Sequence, residues 1–396
     1  MTRSDFQLEY PTDQAPAGIY VHVPFCLSRC NYCAFVSNPY DPDYAAGYPD
    51  LLIREMELFT ETHGPGRHKQ GSGVDTIYFG GGTPSLLEPA AIVKLIDACK
   101  RLFQVADAPE VTLEINPGTL KPADLGFLRD NGLNRVSLGM QSLNDVELSR
   151  MGRRHTASQA VQAFRELRSA GFESISVDLI VGFPGQTRES FRENLRRTLE
   201  LQPDHLSAYL LEVKADSPLE GMIRSRAIDN PDDDLLADLY DDLCSLTAVA
   251  GLEHYEISNF ALPGHESRHN LKYWQDAVFF GFGPGAHGMT GTHRYANEED
   301  PARYEQALRD GRLPRAWFDP LAAFTRFRDA LIMGLRLVRG VDLAVLGRRY
   351  RFDARAFVQA TIGDLADAGL FVLTGDRLAL THQGRLLSNI VFSRWV

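Results

Sequence analysis

The sequence predicts an α/β protein built on a parallel sheet, with a smaller α+β unit near its C-terminus. Three observations predict it. Short β-branched or aromatic segments alternate with amphipathic ones through the first two-thirds of the 396 residues. Each strand candidate stops at a turn signal. After about residue 252 the alternation gives way to segments rich in Gly, His, Asn and aromatic residues, and then to helices followed by a hairpin.

The strand candidates are Ile19–Phe25, Thr76–Phe79, Val111–Ile115, Arg135–Met140, Ser174–Ile180 and His205–Leu211. Between them, Leu86–Phe103 carries Leu87, Ala91, Leu95, Ala98 and Leu102 at helical spacing, and Phe191–Leu201 and Leu235–Leu246 behave similarly. A crossover helix returns the chain to the same end of a sheet, so six β-then-α units imply parallel strands. Right-handed crossovers let such a sheet wind both ways or curl into a full or partial barrel, and the pattern leaves both open. In either form ligands bind at the carboxyl ends of the strands. Further on, Phe324–Val338 reads as a helix with Phe324, Phe327, Leu331, Leu335 and Val338 on one face. Ala354–Ala368 reads as another, Leu370–Thr374 and Arg377–Leu380 as a hairpin about Gly375-Asp376, and Gln383–Phe392 as a last helix. Helices followed by a hairpin resemble a winged-helix module. With no basic run beyond Arg348-Arg349, a scaffolding role is expected of it rather than DNA binding.

Composition narrows the function classes. At 44% hydrophobic and 23% charged residues the chain is globular rather than disordered. A net charge of −11, from 52 acidic and 41 basic residues, lacks the electrostatic footprint of a nucleic-acid binder. No apolar run reaches the roughly 18 residues of a membrane span. The first 17 residues are polar, with no signal-peptide segment, so a cytosolic location is expected, with a peripheral position at a membrane as an option.

Five cysteines, three of them within eight residues, do not make a disulfide framework. Cys26, Cys30 and Cys33 form C-x3-C-x2-C directly after the first strand, in a loop at the functional end of the sheet. Thiolates select zinc, copper(I) or iron–sulfur. A structural zinc wants four closed ligands, and no fourth cysteine is near. Three thiolates on a four-iron cluster would leave one iron open. His22 is a further ligand candidate, although its place within the strand favours packing. Cys99 and Cys244 lie on apolar helix stripes and are expected in the core. Gly80-Gly81-Gly82-Thr83-Pro84 follows the second strand and reads equally as a tight turn or as a loop that lets backbone approach a ligand. Glu114 ends the third strand, Gln141 the fourth, and Asp178 lies in the fifth, each polar in an apolar strand. His265-Glu266-Ser267-Arg268-His269 spells the zinc-hydrolase pattern H-E-x-x-H, but Pro263-Gly264 before it and the Gly-rich stretch after it argue against the long helix that chemistry needs.

The segment Tyr20-Val-His-Val-Pro-Phe-Cys26-Leu-Ser-Arg-Cys30-Asn-Tyr-Cys33 resembles the cluster loop of radical S-adenosylmethionine (SAM) enzymes, and more closely that of the oxygen-independent coproporphyrinogen III oxidase-like group. The resemblance covers about residues 18 to 396. It implies a partial (β/α)6, TIM-like barrel and a winged-helix-like C-terminal domain. The domains would be a polar tail at 1–17, a core at 18–252, an extension at 253–317 and a C-terminal domain at 318–396. It also implies a [4Fe–4S] cluster on Cys26, Cys30 and Cys33, with SAM on the open iron and a 5′-deoxyadenosyl radical as the reactive product. By family position Gly81, Gly82 and Thr83 would meet the SAM amino group. Glu114, Gln141, Arg153 and Asp178 would meet its ribose and carboxylate, and Tyr20 and Tyr32 its surroundings. Glu212 would mark a backbone contact, and His287, in Gly281–Gly288, would lie near the adenosine.

His269-Asn270-Leu-Lys-Tyr273-Trp274 resembles the signature of the haem-chaperone branch of that group. It implies haem as cargo, with His269 as an axial ligand and Asn270, Tyr273 and Trp274 around the macrocycle. Without the resemblance, His269 would be read as bonded within a packed turn. The true oxidase carries a further cysteine where this chain has Phe35, and a longer segment before its cluster. Both differences turn the expectation towards a haem chaperone. The oxidative decarboxylase, a related radical SAM methyltransferase and a zinc-stabilised scaffold are the alternatives, and whether SAM is cleaved stays open. The expected partners are haem-accepting apoproteins, with respiratory ones as candidates, and a flavodoxin- or ferredoxin-like electron donor.

Overall fold

The six predicted strands form as β1 (Ala17–Val23), β2 (Val74–Gly81), β3 (Val105–Ile115), β4 (Arg135–Gln141), β5 (Ser174–Val181) and β6 (His205–Leu210), all parallel and paired in that order. The computed structural model describes residues 15–64, 73–215, 217–230 and 232–396, so positions 1–14 of the predicted polar tail lie outside the described residues. Side chains alternate across each strand. Ile19, Val21 and Val23 of β1, Ile77 and Phe79 of β2, and Val177 and Leu179 of β5 are fully buried beneath the covering helices. The opposite face carries Tyr20, Tyr78, Glu114, Ser137, Ser176, Asp178 and Ser207, so the concave side of the sheet is polar.

The helices follow their apolar stripes. Pro42–His63 begins at Asp41, whose carboxylate accepts from the Asp43 and Tyr44 amides. The helix expected from Leu86 starts at Pro89, because Pro84–Leu86 forms a 3-10 turn. Within it Cys99 is fully buried against Met56, as expected of a core thiol.

Residues 253–317 do not stand apart from the sheet. β7 (Glu253–Glu256) and β8 (Asn259–Ala261) continue it antiparallel beyond β6. β9 (Phe279–Phe282) runs parallel on the far side of β1, and β10 (His287–Met289), β11 (His293–Asn297) and β12 (Arg315–Pro320) extend that edge. The order is β12-β11-β10-β9-β1-β2-β3-β4-β5-β6-β8-β7. Its two end strands do not pair, so the barrel is partial, and the choice between winding both ways and curling is settled by pairings far apart in sequence.

The C-terminal unit has its own apolar core, with Phe327, Leu331, Tyr350, Val358, Leu378 and Trp395 buried in it. The helix expected to reach Val338 ends at Gly334, because the chain turns there to bridge Leu337 to Glu256. The helix expected at Ala354–Ala368 breaks at Ile362 into Ala354–Thr361 and Gly363–Asp367. The hairpin forms as Phe371–Thr374 and Arg377–Leu380, and the last helix splits into His382–Leu386 and Ser388–Phe392. Asp276 ties this unit to the barrel: it accepts from Arg326 Nε at 2.9 Å and from the Tyr350 hydroxyl. Among the described residues no helix is long and apolar enough to cross a membrane.

Candidate functional site

The cysteine loop closes over the carboxyl end of β1. Phe25–Cys26 pairs in parallel with Asn38–Pro39 and shuts the loop at its base. Cys26, Cys30 and Cys33 are free, half-buried thiols. Burial pushes the Cys33 thiol up, and the neighbouring Cys30 and Cys26 add to that; burial and then Cys30 do the same to Cys26. The three sulfurs therefore share one neighbourhood.

A polar arc joins two of them across the barrel mouth. Arg153 donates from Nη1 to Cys30 Sγ at 3.6 Å and from Nη2 to Asn116 Oδ1 at 2.5 Å and to the Gly139 carbonyl at 2.8 Å. Asn116 Nδ2 donates to Thr83 Oγ1 at 2.9 Å, and that hydroxyl lies 3.7 Å from Cys26 Sγ. The glycine loop completes the cradle. A Cβ on Gly82 would stand 2.7 Å from the Phe25 carbonyl oxygen and 3.0 Å from Cys26 Sγ, so only glycine lets this backbone lie against the thiol.

Below the mouth lie two carboxylates. Glu114 accepts from the Tyr78 hydroxyl at 2.8 Å and from the Gly81 amide at 3.2 Å. Asp178 accepts from Ser137 Oγ at 2.9 and 3.0 Å, and from Ser176 at 3.5 Å. Tyr20 reaches His22 Nδ1 at 3.0 Å, and His22 Nε2 meets the Val36 carbonyl at 2.8 Å, so both nitrogens of His22 are engaged within the fold.

The other end of the barrel is filled by the short helix Arg268–Trp274. His265 lies in the turn before it, so the H-E-x-x-H histidines do not share a helix. Among the described residues no group of three or more His, Cys, Asp or Glu side chains is arranged to hold a single metal ion. His269 is buried, with Nδ1 2.8 Å from Thr76 Oγ1, Nε2 2.9 Å from the Tyr273 hydroxyl, and its ring stacked on Tyr78. Burial, then Lys272, pushes its pKa down to about 3, so it is neutral at ordinary pH. Asn270 receives the Ser267 cap through its amide, and Trp274 faces away under the Arg336 guanidinium at 4.4 Å.

The Radical SAM superfamily matches residues 20–198, and the HemN C-terminal domain matches residues 322–387. A heme chaperone HemW of Mycobacterium tuberculosis is 38% identical over 382 residues, spanning 96% of this chain and 95% of that protein. The chain belongs to the heme chaperone HemW family. The Bacillus subtilis HemW is 32% identical over 95% of this chain and 98% of its own length. The structure of coproporphyrinogen III oxidase (HemN) from Escherichia coli, described as a radical SAM enzyme, superposes with a TM-score of 0.83 over 97% of this chain and 91% of that one. Its identity is 24%, and that likeness shows the fold: a radical SAM barrel with a HemN-like C-terminal domain.

Radical SAM membership implies a [4Fe–4S] cluster and SAM, and the residues present fit both. The Cys26, Cys30 and Cys33 thiols are near enough that Cys30 helps to raise the pKa of the other two, and thiolates suit an iron–sulfur cluster. At the mouth, Gln141 Oε1 and Arg153 Nε are buried without a partner among the described residues, and such atoms are costly unless something binds them. Gln141 is also held at φ 66°, in the left-handed region, where strain gathers at functional positions. Tyr32 packs beside Arg153 and Cys30, and burial raises its hydroxyl pKa. Arg153 points inward, whereas its neighbour Arg154 is exposed and reaches the Leu27 carbonyl. Two further predicted positions have exposed side chains. Glu212 is exposed and paired with Lys214. His287 is exposed at the start of β10, edge-on to Trp317.

Sequence reasoning missed Asn116, Tyr78, Ser137 and Ser207. The available signal was the alternation of small polar residues along β4, β5 and β6, which marks a lined lumen rather than a packed core.

Both carboxylates lie on the concave face of the sheet and are half-buried. Burial pushes Glu114 up to about 7, with Asp178 adding to it, and pushes Asp178 up to about 6. In the unfolded chain both titrate near 4. The folded protein thus holds their protons to higher pH. The associated stability is fully present below about pH 4 and is lost as pH rises through about 6 to 7. Urea unfolding of the metal-free protein should therefore show a midpoint that falls across this window. Glu114→Gln with Asp178→Asn should flatten the fall.

Proposed function

We propose that this protein is a radical SAM haem chaperone, which binds haem and passes it to haem-requiring apoproteins. The observation that carries this reading is end-to-end similarity to HemW proteins. Phe35 supports it. Where the oxidase pattern has a further cysteine, this chain presents a ring that is 67% exposed. When bound, the cluster supplies a single electron and an open iron for SAM. Cys26, Cys30 and Cys33 would hold it, and the Arg153 cation would offset thiolate charge beside Cys30. Gln141 and Arg153 Nε would meet the methionine end of SAM, and the Glu114 and Asp178 carboxylates would accept from its ribose hydroxyls. Gly81 and Gly82 let the backbone approach, Thr83 orients Asn116, and Tyr20 closes the lumen wall.

One anaerobically reconstituted sample tests the reading. About four irons and four sulfides per chain are expected, with haem bound in stoichiometric amount. Coproporphyrinogen III with SAM and reductant should give no decarboxylated product. Turnover of coproporphyrinogen III would return the chain to the oxidases, and failure to bind haem would sink the chaperone reading.

A further inference from the structure

The helix Arg268–Trp274 has two ends with different surroundings. His269 and Tyr273 bond inside the barrel, whereas Trp274 lies at the border with the C-terminal unit. There a crevice of about 460 Å³ opens between Trp274, Leu337 and Val345 on its apolar walls and Arg339, Arg349 and Arg377 on its charged side. That volume falls in the range of small-molecule sites, which combine apolar walls with a few placed polar groups.

The charge is against the background. The chain as a whole carries −11, yet among the described residues this crevice is lined by three arginines and one carboxylate, Asp342. Arg349 is used structurally: it donates to the Gln275 and Asp276 carbonyls and so fixes the floor. Arg339 and Arg377 are exposed, and the ion pair of Arg377 with Asp342 is long, at 4.0 Å. The turn carrying Arg339 packs closely on the hairpin, since Gly340 sits at φ 65° and a Cβ there would stand 2.0 Å from the Leu378 carbonyl oxygen. The indole N–H of Trp274 is buried and meets no acceptor among the described residues. Val345, 48% exposed, leaves one apolar wall open to solvent.

We infer that this crevice is where the protein holds haem: the macrocycle lies against Trp274 and Val345, and the two propionates pair with Arg339 and Arg377. The inference rests on the haem-chaperone reading and adds the place. None of the described residues lining the crevice is His, Cys or Met. The tetrapyrrole is then gripped by its face and its carboxylates, and the iron is left for the ligands of a recipient. Such a grip suits a protein that must let go.

The test uses the full reconstituted chain, titrated with haem, iron-free protoporphyrin IX and haem dimethyl ester, and read by Soret absorbance and tryptophan fluorescence. Arg339→Ala with Arg377→Ala should weaken haem about tenfold or more, through two lost charge-assisted bonds. The same variant should bind the dimethyl ester as the parent does. Val345→Glu should weaken all three ligands, and iron-free protoporphyrin should bind the parent within about threefold of haem. Reconstituted iron content together with an unchanged urea midpoint reports that each variant is folded. If the arginine variant and Val345→Glu bind haem like the parent, the crevice is not the site and the chaperone reading stands. If the porphyrin needs iron to bind, axial ligation dominates and the assignment falls. If the parent binds no haem, both fall together.

Discussion

Cys33→Ala takes up far less iron on reconstitution than the roughly four atoms per chain expected of the parent, and it loses SAM binding with it. Its urea midpoint stays within error of the parent. The reasoning is local. Cys33 is half-buried on a loop and belongs to none of the apolar clusters, so removing its sulfur leaves no core cavity. A cluster with two protein thiolates lacks the ligand set that fixes it. Cys99→Ala should do the reverse. Cys99 is fully buried in the helix Pro89–Leu102 against Met56, and burial pushes its thiol up to about 12. Truncating it should cost about 1 kcal/mol through a small cavity and leave iron uptake intact. Iron assay and urea unfolding on the two variants separate a cysteine that does chemistry from one that packs. Equal iron loss in both would remove the cluster assignment.

The two classes of cysteine were separable in the sequence because one sits on a helical stripe and the other after a strand. The six parallel strands were legible for a similar reason: each is a short segment of alternating apolar residues that ends in a turn signal. β9 was not. Phe279–Phe282 is four residues of aromatic and glycine without alternation, and its partner β1 lies some 260 residues earlier. The open edges of the barrel depend on such distant pairings, which no local pattern encodes. The site divides the same way. Glu114, Gln141 and Asp178 announced themselves as polar residues in apolar strands. Asn116 did not, because its role comes from lying between Thr83 and Arg153, two residues that meet only when β2 and β4 flank β3. Choosing Arg153 over Arg154 needed the family spacing, and the fold turns the first inward to Cys30 and the second out to solvent.

His269→Ala should be the most destabilising single change in the signature His269-Asn270-x-x-Tyr273-Trp274. The ring is buried and stacks on Tyr78 with centroids 5.1 Å apart. Its two nitrogens are bonded to Thr76 and Tyr273, and with the pKa pushed down to about 3 it is a neutral imidazole, donating through one nitrogen and accepting through the other. Alanine leaves a cavity and two hydroxyls without that partner, for a loss of about 3 kcal/mol. Asn270→Ala, at a half-buried position, should cost under about 0.5 kcal/mol. The consequence reaches the site through the lumen. Tyr78 bonds Glu114, so loosening the ring stacked beneath it admits water below that carboxylate. Burial is the largest cause of the raised Glu114 pKa, and relieving it should bring Glu114 back towards the ordinary carboxylate range. His269→Ala should therefore lower the urea midpoint and also shrink its fall between pH 5 and 7 compared with the parent. A haem ligand projecting freely from the surface would change neither. If the variant unfolds at the parent's midpoint with the parent's pH profile, His269 is not the plug of the barrel.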